Sequence, residues 1–328
     1  MSPDPAHVIG VDVGGTSVKA VVADRTLHTR ARWTFRTGAD SGPEEATRRI
    51  LGAVDEVLAR ARRMVGRIAS TGIGIPGLVD EDAGIGLFSE NIGWRDWPVG
   101  GLTAARTGLP TRVGHDVRLA AIAESRAGAG RGLRDLVVVT VGTGVGAAIV
   151  LDGRVRAGRR GCAGEIGHLI ADPAGPRCVC GKSGCVEAIG SAAALERRYR
   201  AEGQVPQRVT AQEVVHRALA GEAVAARLWC EAVHALAHGI AVASAVVDPD
   251  ALIVGGGLAA AGPALFSPLR AALGTRLAGI RQVPLLPAGL GPWAGAIGAA
   301  ALAWDALGTS HDPSPPPQKE NRCAPEDF

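Results

Sequence analysis

The stretch VIGVDVGGTSVKAVVAD, residues 8–24, decides the fold prediction. Valine and isoleucine stand on both sides of Gly14 and Gly15, a pattern typical of a strand, a glycine turn and a second strand. Residues 136–152, LVVVTVGTGVGAAIVLD, repeat the pattern with six identities in 17 positions at an offset of 128 residues. Composition alone makes such strands resemble one another, but two copies predict two similar α/β lobes facing each other across a cleft.

The surrounding sequence extends this pattern into alternating strands and helices. We predict a strand near 29–37, a helix over 43–65 that begins at Pro43, and a strand in IASTGIGIPG. The segment TRVGHD predicts a short strand that stops at His115–Asp116, where a helix begins. Further on, residues 208–247 are predicted to be helical, and ALIVGGG at 251–257 reads as a buried strand that opens into three glycines.

These elements predict two lobes that are discontinuous in sequence. Residues 1–115 form a small N-terminal lobe, joined by a helix near 292–307 whose alanines and glycines allow close packing on a sheet. Residues 116–291 form a larger C-terminal lobe with a metal-binding loop. The tail at 308–328 is rich in proline and polar residues, and we expect it to be disordered.

Composition and charge limit the class of protein. The 328 residues are 47% hydrophobic and 20% charged, which is enough for a large core. The net charge is +3 without a run of five like charges, so we expect neither a nucleic-acid nor a membrane partner. The N-terminus lacks a signal-peptide pattern, and the uncharged stretch 283–304 contains three prolines, which favours a buried helix over a membrane span. We therefore expect a cytoplasmic protein.

The segment 161–191, GCAGEIGHLIADPAGPRCVCGKSGCVEAIGS, holds four of the six cysteines. In a reducing compartment, clustered cysteines are more often metal ligands than partners in disulfides. The spacing predicts a site formed by His168, Cys178, Cys180 and Cys185. Four protein ligands close a tetrahedral zinc site, so we expect a structural metal; a zinc-dependent hydrolase or deaminase would need an open position for water.

Three glycine turns are candidates for binding phosphate, because backbone N–H groups reach phosphate oxygens where no Cβ obstructs them. They are VGGTS at 13–17, VGTGVG at 141–146 and GGG at 255–257. Asp12 could hold a hydrated Mg²⁺ that bridges phosphates, or could cap the turn. Asp116 has two interpretations as well: a cap on the helix that follows it, or a general base.

Together these motifs resemble the ROK family, which comprises sugar kinases and related sugar-responsive repressors. The resemblance is carried by DVGGTSVKA, GIGIPG, ENIGW, HD at 115–116, TVGTGVG, AGEIGH, CVCGKSGCVE and IVGGG, in the family's order over about 8–257. Glucokinase-type members are the most similar. The resemblance implies an α/β two-lobed actin-like/hexokinase (ribonuclease H-like) ATPase fold with a cleft between the lobes.

The resemblance also implies roles for individual residues. Those that would bind ATP with Mg²⁺ are Asp12, Gly14, Gly15 and Thr16 in the first turn, Gly142, Thr143 and Gly144 in the second, and Gly255, Gly256 and Gly257 beneath the adenosine. Those that would bind the sugar are Asn91, Asp116, Glu165, His168 and Glu187. Asp116 is the expected base, and His168 would serve both a structural Zn²⁺ and a sugar hydroxyl.

We expect an ATP-dependent hexose kinase. Among hexose kinases we expect a glucokinase first, which phosphorylates the 6-hydroxyl of glucose. The family often has Asn where this chain has His115, so mannose, an N-acetylated hexosamine or fructose stays open as the substrate. Polyphosphate is an alternative donor, and a noncatalytic sugar sensor is the alternative of another class. Only seven residues precede the first strand, which argues against the winged-helix domain of the family's repressors. Family members are commonly homodimers or homotetramers.

Overall fold

A computed structural model describes residues 6–90, 92–203, 209–279 and 282–308. Two compact units divide the chain. The first unit comprises the described residues up to Gly128, the segment Ala157–Gly161 and those from Pro292 onwards, and the second comprises Ala129–Arg156 and Cys162–Gly291. Apart from Gly308, the tail predicted to be disordered lies outside the described residues, and so does Asn91.

The first unit is built on a five-stranded sheet. Its strands are β1 His7–Val13, β2 Ser17–Ala23, β3 Thr29–Arg36, β4 Ile68–Ile75 and β8 Thr111–His115, in the order β3-β2-β1-β4-β8. A smaller sheet contains β5 Leu78–Asp80, β6 Ile85–Phe88 and β7 Arg95–Trp97. The helices are α1 Pro43–Val65, α2 Val99–Thr107, α3 Asp116–Ala127 and α9 Ala294–Asp305. The predicted boundaries of α1 are confirmed, with Pro43 in its first turn.

The second unit has its own five-stranded sheet. Its strands are β9 Leu136–Val141, β10 Val145–Leu151, β11 Arg154–Arg156, β12 Ala251–Gly255 and β13 Leu285–Pro287, in the order β11-β10-β9-β12-β13. The helices are α4 Val186–Gly190, α5 Ala192–Glu202, α6 Ala211–Leu219, α7 Ala223–Val247 and α8 Pro263–Arg276. The core of this unit gathers apolar side chains of β9, β12 and α7.

The two sheets have the same topology. In each, a first strand pairs antiparallel with the next strand in sequence and parallel with a later one: β1 with β2 and β4, and β9 with β10 and β12. A third strand then adds antiparallel at one edge and a fifth adds parallel at the other. The sequence repeat between 8–24 and 136–152 therefore corresponds to a repeated sheet.

Helix α9 packs directly on the first sheet through glycines. A Cβ on Gly10 of β1 would lie 2.0 Å from the Ala296 carbonyl oxygen, and one on Gly72 of β4 would lie 1.9 Å from that of Ala299. Real Cβ contacts are never so short, so the glycines let the helix backbone rest on the strands. The sequence prediction that an alanine- and glycine-rich helix here packs closely on a sheet agrees with this contact.

Helix α7 is the longest apolar helix of the second unit. Among the described residues it alone is long and apolar enough to cross a membrane, and more than half of its most apolar stretch is buried. The buried side chains include Leu228, Leu236 and Ile240, which belong to the core of the unit. Burial of this kind is what a core helix of a globular domain shows. The uncharged stretch 283–304 holds β13 and most of α9.

Candidate active site

The first glycine turn joins β1 to β2 and is held by its neighbours. The Gly14 N–H donates to the Ser17 carbonyl oxygen at 2.9 Å, and the Thr37 hydroxyl donates to the Gly14 carbonyl oxygen at 2.6 Å. The Thr37 N–H also donates to the Thr16 carbonyl oxygen, at 3.2 Å. Thr37, which follows β3, therefore occupies two carbonyls of the turn, while Thr16 is exposed at the tip.

Asp12, near the end of β1, is placed by a close contact with α9. A Cβ on Gly295 would lie 2.6–2.8 Å from the Asp12 carboxylate, so only glycine leaves room for that carboxylate. Burial, followed by the charge of Asp116, raises the pKa of Asp12 to about 7, while Lys19 on β2 lowers it. Asp12 and Asp116 therefore belong to one electrostatic group, in which two carboxylates repel each other and a cation would stabilise both.

Asp116 is the first residue of α3 and directly follows β8. Its Oδ1 accepts the Val117 N–H at 2.7 Å and lies 3.4 Å from Nδ1 of His115. The side chain is 30% exposed, so a ligand can reach it. The helix-cap interpretation is correct in part, because one oxygen contacts a backbone N–H of the first turn, and that contact is compatible with a base that works through the carboxylate.

In the second unit the second and third glycine turns touch each other. The Gly142 N–H donates to the Gly144 carbonyl oxygen at 2.9 Å and closes the turn between β9 and β10. Gly256 has φ 88°, and a Cβ on it would lie 2.4–2.7 Å from backbone atoms of Val141. A left-handed glycine is thus needed where β12 ends beside β9. The two predicted ATP-binding turns of this unit form one continuous surface of backbone.

The GEIGH segment lies against β10 through two glycines. A Cβ on Gly164 would lie 2.1 Å from the Ala147 carbonyl oxygen, and one on Gly167 would lie 2.0 Å from that of Val145. The Gly164 carbonyl oxygen also accepts the Ala147 N–H at 3.0 Å. This contact fixes the short 3-10 turn at 166–168, so that His168 Nε2 lies 3.9 Å from Glu165 Oε2. The two predicted sugar-binding side chains lie side by side.

Glu187, in α4, contacts the second glycine turn. Its Oε2 accepts the Val145 N–H at 2.9 Å, and a Cβ on Gly144 would lie 2.5 Å from the same oxygen. A predicted sugar ligand is therefore held by a predicted phosphate-binding turn. Sequence reasoning missed this link, because 42 residues separate the two ends of the hydrogen bond and no motif spans them.

The four predicted metal ligands come together. His168 Nδ1 and the three sulfurs of Cys178, Cys180 and Cys185 all lie within 4.8 Å of one another. The Cys178 Sγ–His168 Nδ1 distance is 3.7 Å and the Cys180 Sγ–Cys185 Sγ distance is 3.6 Å. Two ligands on a tetrahedral zinc with bonds of about 2.3 Å lie about 3.7 Å apart, so the donor set fits Zn²⁺.

Zinc coordination would require the buried Cys185 thiol to ionise. Burial, followed by hydrogen bonds with neighbouring thiols, raises the pKa of the Cys185 thiol to about 12. Such a thiol becomes a thiolate only beside a strong positive charge, which a divalent metal supplies. The fourth nearby cysteine, Cys162, is not a member of this ligand group.

Each unit thus carries its own part of the predicted set. The first holds Asp12, Asp116 and the first turn; the second holds the other two turns, the ligand group, Glu165, His168 and Glu187. Asn91 lies outside the described residues. Two residues that the sequence analysis passed over, Glu81 and Arg118, surround the junction that carries Asp116.

Comparison with known proteins gives consistent matches over most of the chain. The profile of the ROK family matches residues 8–306. A glucokinase of Halalkalibacterium halodurans is 33% identical over 80% of this chain and 83% of its own. An N-acetylmannosamine kinase of Citrobacter koseri is 36% identical over 90% of this chain and 98% of its own. The crystal structure of a ROK family glucokinase from Streptomyces griseus in complex with glucose and AMPPNP has a TM-score of 0.79 at 32% identity, covering 91% of this chain and 99% of that one.

Proposed function

The chain belongs to the ROK family, and from that premise we propose that it is a sugar kinase that transfers the γ-phosphoryl group of ATP to the 6-hydroxyl of a hexose. Glucose is the proposed first substrate, because a glucokinase matches 80% of the chain at 33% identity. The match to a ROK glucokinase structure confirms the predicted actin-like two-domain α/β fold. A transferase activity on sugars is supported by relatives of two specificities, glucokinase and N-acetylmannosamine kinase.

One observation carries the proposal from the geometry: Asp12 and Asp116 share an electrostatic site beside a glycine turn. Phosphoryl transfer is catalysed chiefly by positioning and by neutralising charge, and needs few covalent partners. A carboxylate near the turn can hold a hydrated metal ion, and an exposed carboxylate at a strand end can accept a proton. Burial and the charge of Asp116 raise the pKa of Asp12 to about 7, and a cation bound beside the two carboxylates would lower it again.

The proposed reaction assigns the proton and the bonds as follows. Asp116 orients the 6-hydroxyl and accepts its proton while the hydroxyl oxygen forms a bond to the γ-phosphorus. The bond from that phosphorus to the bridging oxygen of ADP breaks, and ADP leaves. Backbone N–H groups of the glycine turns bind phosphate oxygens. Asp12 would hold Mg²⁺ through water, and the ion, when bound, neutralises negative charge on the phosphates.

For the sugar we propose the Glu165–His168 pair and Glu187, with Asn91 as a further predicted ligand. A hexose ring presents alternating hydroxyl donors and acceptors, which carboxylates and a neutral imidazole can satisfy together. The 3.9 Å separation of His168 Nε2 and Glu165 Oε2 leaves both atoms available to neighbouring hydroxyls. Because His168 Nδ1 faces the cysteines, one ring can serve the metal and the sugar.

We propose that Zn²⁺ occupies the Cys₃His group and takes no part in the chemistry. Four ligands leave it no open position, so it would act on structure alone. Its ligands lie between Glu165 and Glu187 in sequence, and Cys185 directly precedes α4, which carries Glu187. The metal would therefore fix the backbone on which the sugar-binding carboxylates stand.

A second specificity within the same class is phosphorylation of an N-acetylated hexosamine, supported by the 36% identity to an N-acetylmannosamine kinase. His115, adjacent to Asp116, is the residue through which sugar preference would change. Polyphosphate as donor and a noncatalytic sensor remain alternatives. We also retain a cytoplasmic location, a role in glycolysis and a homodimer or homotetramer as predictions.

A coupled phosphorylation assay tests the proposal. The purified chain is offered glucose, mannose, fructose, N-acetylglucosamine and N-acetylmannosamine, each with ATP and Mg²⁺ or with polyphosphate. We expect turnover with ATP and glucose, and ³¹P NMR should place the phosphate on the 6-position. Turnover of N-acetylmannosamine alone would establish the second specificity, and no turnover of any sugar with either donor would refute a kinase.

A further inference from the structure

We propose that Glu81 and Arg118 are positioning residues for Asp116: together they hold the junction of β8 and α3 so that the carboxylate stays aligned for proton transfer. The inference rests on the proposed function, in which Asp116 is the base. Neither residue belongs to the motifs that carried the sequence analysis, and neither is proposed to touch the substrate.

The first observation is the number of donors on one oxygen. Glu81 Oε1 accepts the His115 backbone N–H at 3.0 Å, and it accepts Nε and Nη2 of Arg118 at 3.0 and 2.9 Å. His115 is the residue that precedes α3, and its own side chain makes no capping hydrogen bond. In a capping box, the carboxylate of the helix's third residue accepts the N–H of the cap residue; Glu81 supplies that acceptor from another segment.

The second observation is the burial of Arg118. Its side chain is 5% exposed, and Nη1 donates to the Gly161 carbonyl oxygen at 2.9 Å. Burial of a guanidinium costs free energy unless its N–H groups are hydrogen-bonded. Here Glu81 accepts from Nε and Nη2, and the backbone carbonyl accepts from Nη1. Arg118 stands two residues after Asp116 on α3, so it fixes the rotation of the turn that carries the base.

The geometry favours positioning over simple stabilisation because of where the hydrogen bond falls. The bonded N–H belongs to the residue adjacent to Asp116, so a shift of Glu81 moves the backbone from which the base projects. A misplacement of about 1 Å at a reacting group can cost about 10²-fold in rate. At the other end of α3, Arg126 donates to both carboxylate oxygens of Asp305, at 3.0 and 2.9 Å. This ion pair is also bidentate, but it lies away from the backbone that carries Asp116.

That second pair provides the matched control. We expect Glu81→Ala to lower kcat about 10- to 100-fold while the Kd for glucose, measured by calorimetry, stays within about twofold of the wild-type value. Glu81→Gln keeps an oxygen acceptor and should restore part of the lost kcat. Arg118→Lys keeps the positive charge but cannot make the paired hydrogen bonds of the guanidinium to Glu81, and should lower kcat about tenfold or more. Arg126→Lys and Asp305→Asn should lower the melting temperature and leave kcat unchanged.

Removal of the Glu81 carboxylate takes a partner from the buried Arg118 guanidinium and should lower the melting temperature, so circular dichroism establishes that each variant is folded at the assay temperature before kcat is compared. A folded Glu81→Ala protein with wild-type kcat would overturn the inference, as would a loss of kcat in the Arg126→Lys control equal to that in Glu81→Ala. Failure of the unaltered enzyme to phosphorylate any hexose is a different result, because it overturns the proposed function itself.

Discussion

At the scale of single residues, position 144 must be glycine because the Glu187 carboxylate lies where a side chain would be. Gly144→Ala would place a Cβ 2.5 Å from Glu187 Oε2 and so push the carboxylate off the Val145 N–H. Since Glu187 is a proposed sugar ligand, we expect the KM for glucose to rise about tenfold or more, which corresponds to about 1.4 kcal/mol of binding energy. Steady-state kinetics at saturating ATP measure this change in KM.

Gly101→Ala is the control, because position 101 is exposed on α2 and an added Cβ would have no atom within 4 Å. An unchanged KM for Gly144→Ala would refute the proposed role of Glu187.

The charge on Asp12 gives a prediction about pH and stability. Its pKa is raised to about 7 in the folded chain against 3.8 in the unfolded chain, so the folded state binds the extra proton between these values. The stabilisation that this proton gives is complete below about pH 4 and is lost as the pH rises toward 7. We expect Asp12→Asn to be more stable than the wild type at pH 8, by on the order of 2 kcal/mol after discounting for partial exposure.

Urea unfolding in the absence of Mg²⁺, at pH 5 and pH 8, measures this difference. The advantage of Asp12→Asn should be larger at pH 8 than at pH 5, because only the ionised carboxylate is unfavourable. The same variant should lose phosphorylation, since it would no longer hold the metal. An advantage that is equal at both pH values would contradict the electrostatic account of this site.

At the scale of elements, the contact of α9 with the first sheet depends on glycine. Gly72→Ala would place a Cβ 1.9 Å from the Ala299 carbonyl oxygen, which a rigid helix backbone cannot avoid. We expect a loss of about 3 kcal/mol or more of unfolding free energy. Gly52→Ala is the matched control: it lies exposed inside α1 with no atom within 4 Å, and should stabilise by up to about 1 kcal/mol. Thermal unfolding compares the two, and equal melting temperatures would refute the close-packing interpretation.

The zinc loop gives a second prediction at this scale. Removing the metal with a chelator, or replacing the exposed ligand Cys180 by Ser, should lower the melting temperature and weaken glucose binding about tenfold or more. ATP binding should change less than glucose binding, because the first glycine turn belongs to the other unit, although the second turn contacts α4 through Glu187. Cys230→Ser, an exposed cysteine of α7 outside the ligand group, is the control. Metal analysis that finds no zinc in the untreated protein, or unchanged glucose affinity after chelation, would refute the proposed clamp.

Sequence patterns predicted the elements whose signal is local. The strands around each glycine turn have buried apolar residues on both sides of the turn, and α1 begins at its proline. The small sheet was missed because β5 and β7 have only three residues each, too few for alternation to be recognised. Helix α4, five residues long, was missed for the same reason.

At the scale of the whole molecule, the two sheets repeat one topology although the sequence repeat between them is weak. Six identities in 17 positions would not establish a repeat, whereas the shared strand order and pairing directions show a repeated topology independently of sequence. The ligand group was predictable because four metal-binding residues lie within 18 positions. The contacts of Glu81 with His115 and of Glu187 with Val145 were not predictable, because 34 and 42 residues separate the partners.

Asp116 is proposed as the base of a hexose kinase, and Asp116→Asn removes that base. The amide has nearly the same shape but cannot accept a proton at neutral pH. We predict that Asp116→Asn binds glucose within a few-fold of the wild-type affinity by calorimetry. Its kcat for glucose with ATP and Mg²⁺ should fall by about 10²- to 10⁴-fold in the coupled assay. Near-normal turnover in that variant would contradict the account and remove Asp116 from the mechanism.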